Sequence, residues 1–163
     1  MFNALLATKD DRHTVAVTQI DKGALADSGV IIKVDYSTIN YKDALAVTAT
    51  APIIRKYPLV PGIDLAGTIE ESDDPAWQVG DRVVVNGWGM GEAHSGGLAQ
   101  YARVPASFLV KLPQNISTRH AMAIGTAGYT AALCLDALEA QGVTPDHGDI
   151  LVTGASGGVG SIA

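Results

Sequence analysis

The stretch "DILVTGASGGVGSIA", residues 149–163, joins a short apolar run to a glycine-rich turn and to residues that favour the start of a helix. Gly154, Gly157 and Gly160 stand three apart in this turn. Glycines let the backbone approach a pyrophosphate closely, and the free N–H groups and dipole of a helix N-terminus then stabilise the anion. The stretch therefore predicts a strand, a turn and a helix start at a dinucleotide site, with a purely structural glycine turn as the alternative.

The class of this turn needs context from the rest of the chain. Its glycine spacing differs by one residue from the usual G-x-G-x-x-G, which predicts a wider first turn. "TGASGGVG", residues 153–160, also resembles the opening of the short-chain dehydrogenases. In that family the turn lies near the N-terminus, whereas 148 residues precede the stretch here. The position of the motif therefore argues against that family.

Residues up to about 113 alternate short β-rich runs with turns made of Gly, Pro, Asn and Asp. In "VIIKVDYSTI", residues 30–39, large side chains recur at every second position from Val30 to Tyr36, which is the period of a half-buried strand. The other predicted strands are "NALLAT", "HTVAVTQI", "DLAGTIEES", "DRVVVNG", "LAQYARV" and "FLVKLP". Together they predict a small barrel-like or sandwich-like β domain.

The composition changes after residue 113. "TRHAMAIGTAGYTAALCLDALEAQG", residues 118–142, is rich in Ala, Leu and Met, and Ala131, Leu135 and Leu138 follow helical spacing. We predict a pair of helices here, with Gly142 ending the second. The predicted domains are a β domain over residues 1–117 and, over residues 118–163, connecting helices followed by the first strand and glycine turn of an incomplete nucleotide-binding domain.

Charge and composition exclude several classes of protein. The net charge of −6 and the lack of basic clusters, apart from the adjacent pair Arg55 and Lys56, argue against a nucleic-acid partner. The single cysteine, Cys134, cannot form an internal disulfide. Charged residues interrupt every apolar run before the ~20 residues of a membrane helix, and the N-terminus lacks the pattern of a secretory signal. We expect a cytoplasmic protein without a membrane partner.

Six motifs together resemble one family over essentially the whole chain. The resemblance is to the zinc-independent medium-chain dehydrogenases/reductases, in the branch of the acrylyl-CoA reductases, which also carry quinone oxidoreductase names. The motifs are "STINYKDALAVT" (37–48), "PGIDLAG" (61–67), "VGDRVVVNGWGMGE" (79–92), "GGLAQYARVPASFLVKLP" (96–113), "GTAGYTAALC" (125–134) and "VTGASGGVG" (152–160). The implied fold class is α/β, with a GroES-like β-barrel catalytic domain followed by the start of a Rossmann domain.

The resemblance also implies an activity. Members of the family are about twice as long as this chain and bind NADPH between their two domains. They transfer a hydride to the β-carbon of an activated C=C bond, of the type found in acryloyl-CoA, and form homodimers. Two alternatives stay open: a quinone or enone oxidoreductase of the same superfamily, and a GroES-like fragment that binds a partner without catalysis. We expect the isolated 163-residue chain to be inactive, because its nucleotide-binding domain is incomplete.

The chain lacks the zinc ligands of its zinc-dependent relatives. Those relatives carry Gly-His-Glu where this chain has Gly62, Ile63 and Asp64, and a cysteine where it has "NYKD". Ile63 cannot bind a metal, and neither Cys134 nor the four histidines show a zinc-binding spacing. The sequence therefore predicts no metal site, and a substrate that a carbonyl group already activates.

The resemblance places several residues beside the cofactor. Asn40 and Tyr41 are the predicted catalytic residues, because Asn40 offers an amide donor and Tyr41 offers a ring face and a phenolic donor; Asn40 is alternatively the N-cap of a helix starting at Tyr41. The predicted cofactor-binding residues are Tyr41, Thr126, Thr130, Ser156, Gly157, Gly158, Val159 and Gly160. For the two threonines, satisfying a backbone donor at a helix start is an equal alternative. Asp43 and Asp64 are predicted to form structural hydrogen bonds.

Overall fold

The computed structural model describes residues 1–25 and 28–163. Within these ranges the chain forms seven β-strands and two α-helices. They are β1 (Phe2–Lys9), β2 (His13–Ile20), β3 (Val30–Tyr36), α1 (Tyr41–Thr48), β4 (Asp64–Glu71), β5 (Arg82–Asn86), β6 (Tyr101–Val104), β7 (Val110–Lys111) and α2 (Thr118–Ala140). All strands predicted for the β domain are confirmed, with ends that differ by a few residues. The boundary between residues 117 and 118 stays a prediction.

Five strands form an antiparallel sheet in the order β6-β3-β4-β5-β7, and β1 pairs with β2 in a hairpin. The main core contains alternate residues of β3, β4 and β5, because successive side chains of a strand point to opposite faces. These core residues are Val30, Ile32, Leu65, Ile69, Val83 and Val85. The hairpin is attached to loops of the sheet: Leu5 N–H donates to the Leu98 carbonyl (2.9 Å) and Ala7 N–H donates to the Leu59 carbonyl (2.8 Å).

Strand β4 carries a glycine at the point where it approaches β3 most closely. Gly67 pairs with Val34, and a Cβ atom on Gly67 would collide with the Lys33 carbonyl oxygen. The same Cβ atom would lie 2.8 Å from Cγ2 of Ile32. Since neither a backbone carbonyl nor a core side chain can move far, this position of the sheet accepts only glycine.

Helix α2 consists of two helical segments joined at a break, so the predicted pair of helices is confirmed. Gly125 has φ 55° and ψ −165°, so the helix is interrupted there and resumes at Thr126. The Ser117 side chain caps the first segment by accepting the His120 N–H. At the other end Gln141 is the C-cap, and Gly142 follows with φ 79° and donates its N–H to the Glu139 carbonyl (2.8 Å). The predicted end at Gly142 is confirmed.

The predicted strand before the glycine turn is not formed. Residues 149–152 have no regular structure, and Leu151 is 87% exposed. A parallel strand needs a hydrogen-bonded neighbour, and within the described ranges no strand lies alongside this run. The expected helix start is present only as a turn, in which Ser161 N–H donates to the Gly157 carbonyl (2.9 Å) and Ala163 N–H to the Val159 carbonyl (3.0 Å).

The prediction that charged residues interrupt every apolar run before the length of a membrane helix is wrong for α2. By length and composition, α2 is apolar enough to cross a membrane, although the charge pattern suggested that no run would be. The core helix of a soluble protein passes the same test, so the finding is weak. The helix is interrupted at Gly125 and packs Ala121 and Met122 into a cluster with Ala66 of β4 and Leu112.

The close approach at Gly67 can be tested by substitution. We expect Gly67→Ala to lower the free energy of unfolding by about 1–3 kcal/mol, because the added methyl group forces β3 and β4 apart. Gly23→Ala is the matched control, since its added Cβ atom would meet only the Asp21 carboxylate, at 3.2 Å, in an exposed turn. Urea unfolding measures both. Equal effects of the two substitutions would contradict the argument.

Candidate functional site

A cleft of about 410 Å³ opens between the N-terminal end of α1, helix α2 and the glycine turn. It brings together residues that are far apart in the sequence. Its lining residues are Ile39, Asn40, Tyr41, Lys42, Ile63, Thr126, Ala127, Thr130, Gly158 and Val159. Six of these are predicted site residues: Asn40, Tyr41, Thr126, Thr130, Gly158 and Val159. The other three, Ser156, Gly157 and Gly160, belong to the same turn but do not line the cleft.

The glycine turn rests directly on α2. The position of a Cβ atom on Gly158 is 3.3 Å from Cβ of Ala127, and a Cβ atom on Gly160 would collide with the Gly154 carbonyl oxygen. The N–H groups of Gly158, Val159 and Gly160 donate to no protein group within residues 1–25 and 28–163. The turn therefore presents bare backbone donors next to the cleft, as an anion-binding turn requires.

The Asp64 carboxylate holds the inner wall of the cleft. Asp64 is the first residue of β4 and is fully buried. Its Oδ1 atom accepts the Thr38 N–H (3.1 Å), and the Thr38 hydroxyl lies 2.7 Å from both carboxylate oxygens. Its Oδ2 atom also accepts hydrogen bonds from Nδ2 of Asn40 (3.1 Å), from the Thr126 backbone N–H (3.1 Å) and from the Thr126 hydroxyl (2.9 Å). One carboxylate thus joins three separate segments of the chain.

The break in α2 makes the Thr126 contacts possible. Because Gly125 leaves the helical conformation, Thr126 begins a new helical segment whose first N–H has no carbonyl partner in the preceding turn. Asp64, at the start of strand β4, accepts a hydrogen bond from that N–H and so acts as an N-cap for this helical segment. In the following turn the Thr130 hydroxyl donates to the Thr126 carbonyl (2.7 Å), and Nδ2 of Asn86 approaches the Thr126 hydroxyl oxygen (3.4 Å).

Asn40 is the N-cap of α1, as the structural alternative predicted. It forms a capping box with Asp43, whose Oδ2 atom accepts the Asn40 backbone N–H at 2.8 Å. The second oxygen of Asp43 accepts the N–H of Ile63 at 2.9 Å, which ties α1 to the residue before β4. Burial is the main cause that raises the pKa of Asp43, while the hydrogen bonds from Asn40 and Ile63 oppose the rise.

Tyr41 and Lys42 form the outer edge of the cleft. Tyr41 is 81% exposed, and within the described part of the chain its hydroxyl makes no hydrogen bond. Nζ of Lys42 pairs with Oε1 of Glu92 (2.8 Å), and the other oxygen of Glu92 lies 3.5 Å from the Arg55 guanidinium. This edge of the cleft therefore carries a phenolic donor and the Lys42 ammonium, which shares the Glu92 carboxylate with Arg55, a residue outside the lining of the cleft.

The side chains around Ile63 offer few groups that could bind a metal ion. Ile63 lines the cleft, and the nearby Asp43 and Asp64 carboxylates both accept hydrogen bonds from the protein. Among residues 1–25 and 28–163, no three His, Cys, Asp or Glu side chains form a group that could hold a metal ion.

Sequence reasoning identified Asp64 only as a residue with structural hydrogen bonds and did not anticipate that it would join Thr38, Asn40 and Thr126. The contribution of Asn86 was also missed. A signal for Asp64 exists in the sequence: an acidic residue opens the otherwise apolar run "DLAGTI", and a carboxylate in such a position needs several donors to be buried.

The raised pKa of Asp43 predicts a pH-dependent stability. The folded chain holds the Asp43 proton more tightly than the unfolded chain, where the pKa is close to the ordinary value of 3.8. The resulting stabilisation is complete below this value and is lost as the pH rises through the folded-state pKa. We therefore expect the stability of the wild type relative to Asp43→Asn to fall as the pH rises from below 3.8 towards neutrality.

Urea unfolding of both chains at a series of pH values measures this difference. Asp73→Asn, which removes an exposed carboxyl group, corrects for the loss of one charge from the chain. A relative stability that increases with pH would show that the hydrogen bonds from Asn40 and Ile63 outweigh burial.

Comparison with known proteins assigns the family. Residues 26–114 match the alcohol dehydrogenase GroES-like domain. Acrylyl-CoA reductase AcuI of Ruegeria pomeroyi is 52% identical over all of this chain, which covers 50% of that protein. The Bacillus subtilis protein YhfP, which carries a quinone oxidoreductase name, is 51% identical over the same extent and is likewise covered to 50%.

Solved structures agree with this assignment. The Escherichia coli protein YhdH with bound NADPH superposes with a TM-score of 0.93 at 51% identity, over 98% of this chain and 50% of that protein. YhfP with bound NAD gives a TM-score of 0.93 at 49% identity, over 98% of this chain and 49% of that protein. The chain spans about half the length of these relatives, and the predicted GroES-like fold is confirmed. The chain therefore belongs to the alcohol dehydrogenase GroES-like domain family, among the medium-chain oxidoreductases.

Proposed function

We propose that this chain forms the substrate-side domain and the nicotinamide end of the cofactor site of an NADPH-dependent reductase. The reductase would act on a C=C bond conjugated to a carbonyl, as in acryloyl-CoA. The observation that carries the proposal is the cleft itself, which is lined by Asn40 and Tyr41 from one side and by Thr126, Thr130 and the glycine turn from the other. The bound nucleotides of YhdH and YhfP support the choice of cofactor class.

The residues of the cleft fit such a cofactor. The turn offers the unpartnered N–H groups of Gly158, Val159 and Gly160 to phosphate oxygens, and Gly158 carries no side chain that would separate a ligand from α2. Thr126 and Thr130 flank the position next to the turn. When bound there, NADPH supplies the hydride. The chain contributes orientation, exclusion of water and hydrogen bonds.

Tyr41 is the residue best placed to act on the substrate. Its hydroxyl lies at the open edge of the cleft and has no protein partner within the described ranges. A phenolic donor there can bind the carbonyl oxygen of a substrate and stabilise the negative charge that develops on it as the β-carbon is reduced. Whether the same hydroxyl also delivers the proton to the α-carbon is a second, separable role.

The proposal includes chemistry without a metal ion. Ile63 stands where the zinc-dependent relatives carry a histidine. The carboxylates of Asp43 and Asp64 already accept several hydrogen bonds from the protein. This donor set lacks the neutral nitrogen and sulfur ligands that zinc prefers. Polarisation of the substrate would then depend on hydrogen bonds such as that of Tyr41.

A quinone is the second candidate substrate, supported by the name of YhfP. Positive charge near the cleft favours the CoA thioester, because Lys42 at its edge and Arg55 beyond it together carry more positive charge than Glu92 neutralises. A phosphorylated CoA tail is polyanionic, whereas a simple quinone is neutral.

Cofactor binding is the first test. We expect the chain to bind NADPH and reduced nicotinamide mononucleotide weakly, because it carries the residues that line the cleft but spans only about half the length of its relatives. Amide chemical shifts in ¹⁵N NMR titrations should change at Asn40, Thr126 and residues 157–160. Unchanged shifts in this cleft at millimolar ligand would contradict the proposal.

The role of Tyr41 is the second test. The assay joins this chain to the second half of the Ruegeria pomeroyi relative, to provide the length that this family has. With acryloyl-CoA as substrate, we expect Tyr41→Phe to lower kcat about 10²-fold or more, with NADPH affinity nearly unchanged. Tyr129→Phe is the control, since Tyr129 is a half-exposed tyrosine of α2 that does not line this cleft. Faster reduction of 1,4-benzoquinone than of acryloyl-CoA would favour the second candidate substrate.

A further inference from the structure

The Asp64 carboxylate is surrounded by hydrogen-bond donors. Its two oxygens accept hydrogen bonds from the backbone N–H and hydroxyl of Thr38, from Nδ2 of Asn40, and from the backbone N–H and hydroxyl of Thr126. An ionised carboxylate only accepts hydrogen bonds, so this set of donors matches its charged form. All of these donors are neutral groups. They stabilise the carboxylate without cancelling its charge, so one net negative charge stays inside the protein.

This negative charge is poorly screened by its surroundings. Asp64 is fully buried, and among the described residues no Lys or Arg side chain forms an ion pair with it. Charges interact more strongly inside a protein than in water, because the effective dielectric constant is lower there. The neighbouring carboxyl group of Asp43 responds to the charge: burial is the main cause of its raised pKa, and the charge of Asp64 adds to the rise.

The charge lies directly behind the inner wall of the cleft. Asn40 and Thr126 line the cleft, and their side chains donate to Oδ2 of Asp64 over 3.1 Å and 2.9 Å. A ligand atom in contact with Nδ2 of Asn40 or with the Thr126 hydroxyl would therefore lie within roughly 6 Å of the carboxylate, which is two contacts of about 3 Å each. The outer edge of the cleft carries the Lys42 ammonium, whose Nζ atom pairs with Oε1 of Glu92 at 2.8 Å. The cleft thus has an anion behind its inner wall and a cation at its outer edge.

We propose that Asp64 acts as a fixed negative charge that favours the oxidised, cationic nicotinamide of NADP⁺ over the reduced, neutral nicotinamide of NADPH. The inference rests on the proposed function. NADP⁺ differs from NADPH by one hydride ion, and its ring therefore carries a positive charge that the reduced ring lacks. The phosphates and sugars of the two nucleotides are the same. A buried anion near the ring therefore distinguishes them by ring charge.

Such a charge favours the direction of reaction that the proposed function requires. Reduction of the substrate by NADPH moves one hydride, so the ring becomes positive and the substrate carbonyl oxygen becomes negative. A fixed anion at the place where positive charge develops lowers the energy of this charge-separated state. The Tyr41 hydroxyl and the Lys42 ammonium, at the outer edge, are the groups available to the negative oxygen.

The wild-type chain tests the inference without any substitution. Oxidised and reduced nicotinamide mononucleotide carry the same phosphate and differ in the charge of the ring. We expect the oxidised form to bind about fivefold or more tightly in ¹⁵N NMR titrations at about 0.3 M salt, which screens surface charges more than buried ones. Equal affinities, or tighter binding of the reduced form, would overturn the inference and leave the proposed function intact. Failure of both forms to bind would contradict the two together.

Asp64→Asn removes the charge and keeps nearly the same shape. The variant is made in the chain joined to the second half of the Ruegeria pomeroyi relative, and calorimetry measures the affinities for NADP⁺ and NADPH. We expect the affinity for NADP⁺ relative to NADPH to fall about tenfold. The ratio is the readout because damage to the hydrogen-bond network weakens the binding of both forms, whereas loss of the charge weakens the binding of NADP⁺ selectively. An unchanged ratio would overturn the inference.

Two control variants separate charge from packing. Thr38→Val removes the hydroxyl that donates to the Asp64 carboxylate but leaves the charge in place. Asp73→Asn removes one exposed carboxylate that does not line the cleft. We expect both variants to keep the ratio within about twofold of the wild type. An equal fall of the ratio in Thr38→Val and Asp64→Asn, or in Asp73→Asn and Asp64→Asn, would overturn the inference. The wild-type comparison of the mononucleotides decides the question if Asp64→Asn does not fold.

Discussion

The buried carboxylate of Asp64 is the constraint on which the rest of the site depends. A fully buried carboxylate without partners would cost several kcal/mol, and among the described residues no Lys or Arg pairs with this one. Its charge is instead balanced by N–H and O–H donors from two other segments of the chain, residues 38–40 and Thr126. Because each donor must be present for the burial to be tolerated, the positions of Thr38, Asn40 and Thr126 are fixed together.

The break in α2 follows from the same requirement. An uninterrupted helix would direct the Thr126 N–H to a carbonyl four residues earlier and away from β4. The conformation of Gly125 releases that donor, and its small size leaves room for Thr38, whose Cγ2 and Oγ1 atoms are each 3.4 Å from the position of a Cβ atom. Glycine at 125 and aspartate at 64 are therefore two parts of one arrangement, although 60 residues separate them.

The sequence was informative where structure is local. Short β-rich runs between turn residues, several of them with alternating side chains, located all seven strands. The residues that resemble the family motifs line one cleft: Asn40, Tyr41, Thr126, Thr130, Gly158 and Val159. Contacts between distant segments could not be read in this way: nothing near Asp64 in the chain shows that Thr38 and Thr126 will surround it. The run at 149–152 was predicted as a strand from its apolar side chains, but a strand also requires a paired neighbour, which local composition cannot supply.

Gly158 packs closely against Ala127 of α2, and this contact holds the glycine turn in place although the residues before it are not paired with a strand. In this structure the turn is held by α2, while residues 149–152 have no strand beside them. Helix α2 therefore positions the turn, in which the N–H groups of Gly158, Val159 and Gly160 have no protein partner within the described ranges. The placement of the turn against α2 therefore does not require a paired strand at residues 149–152.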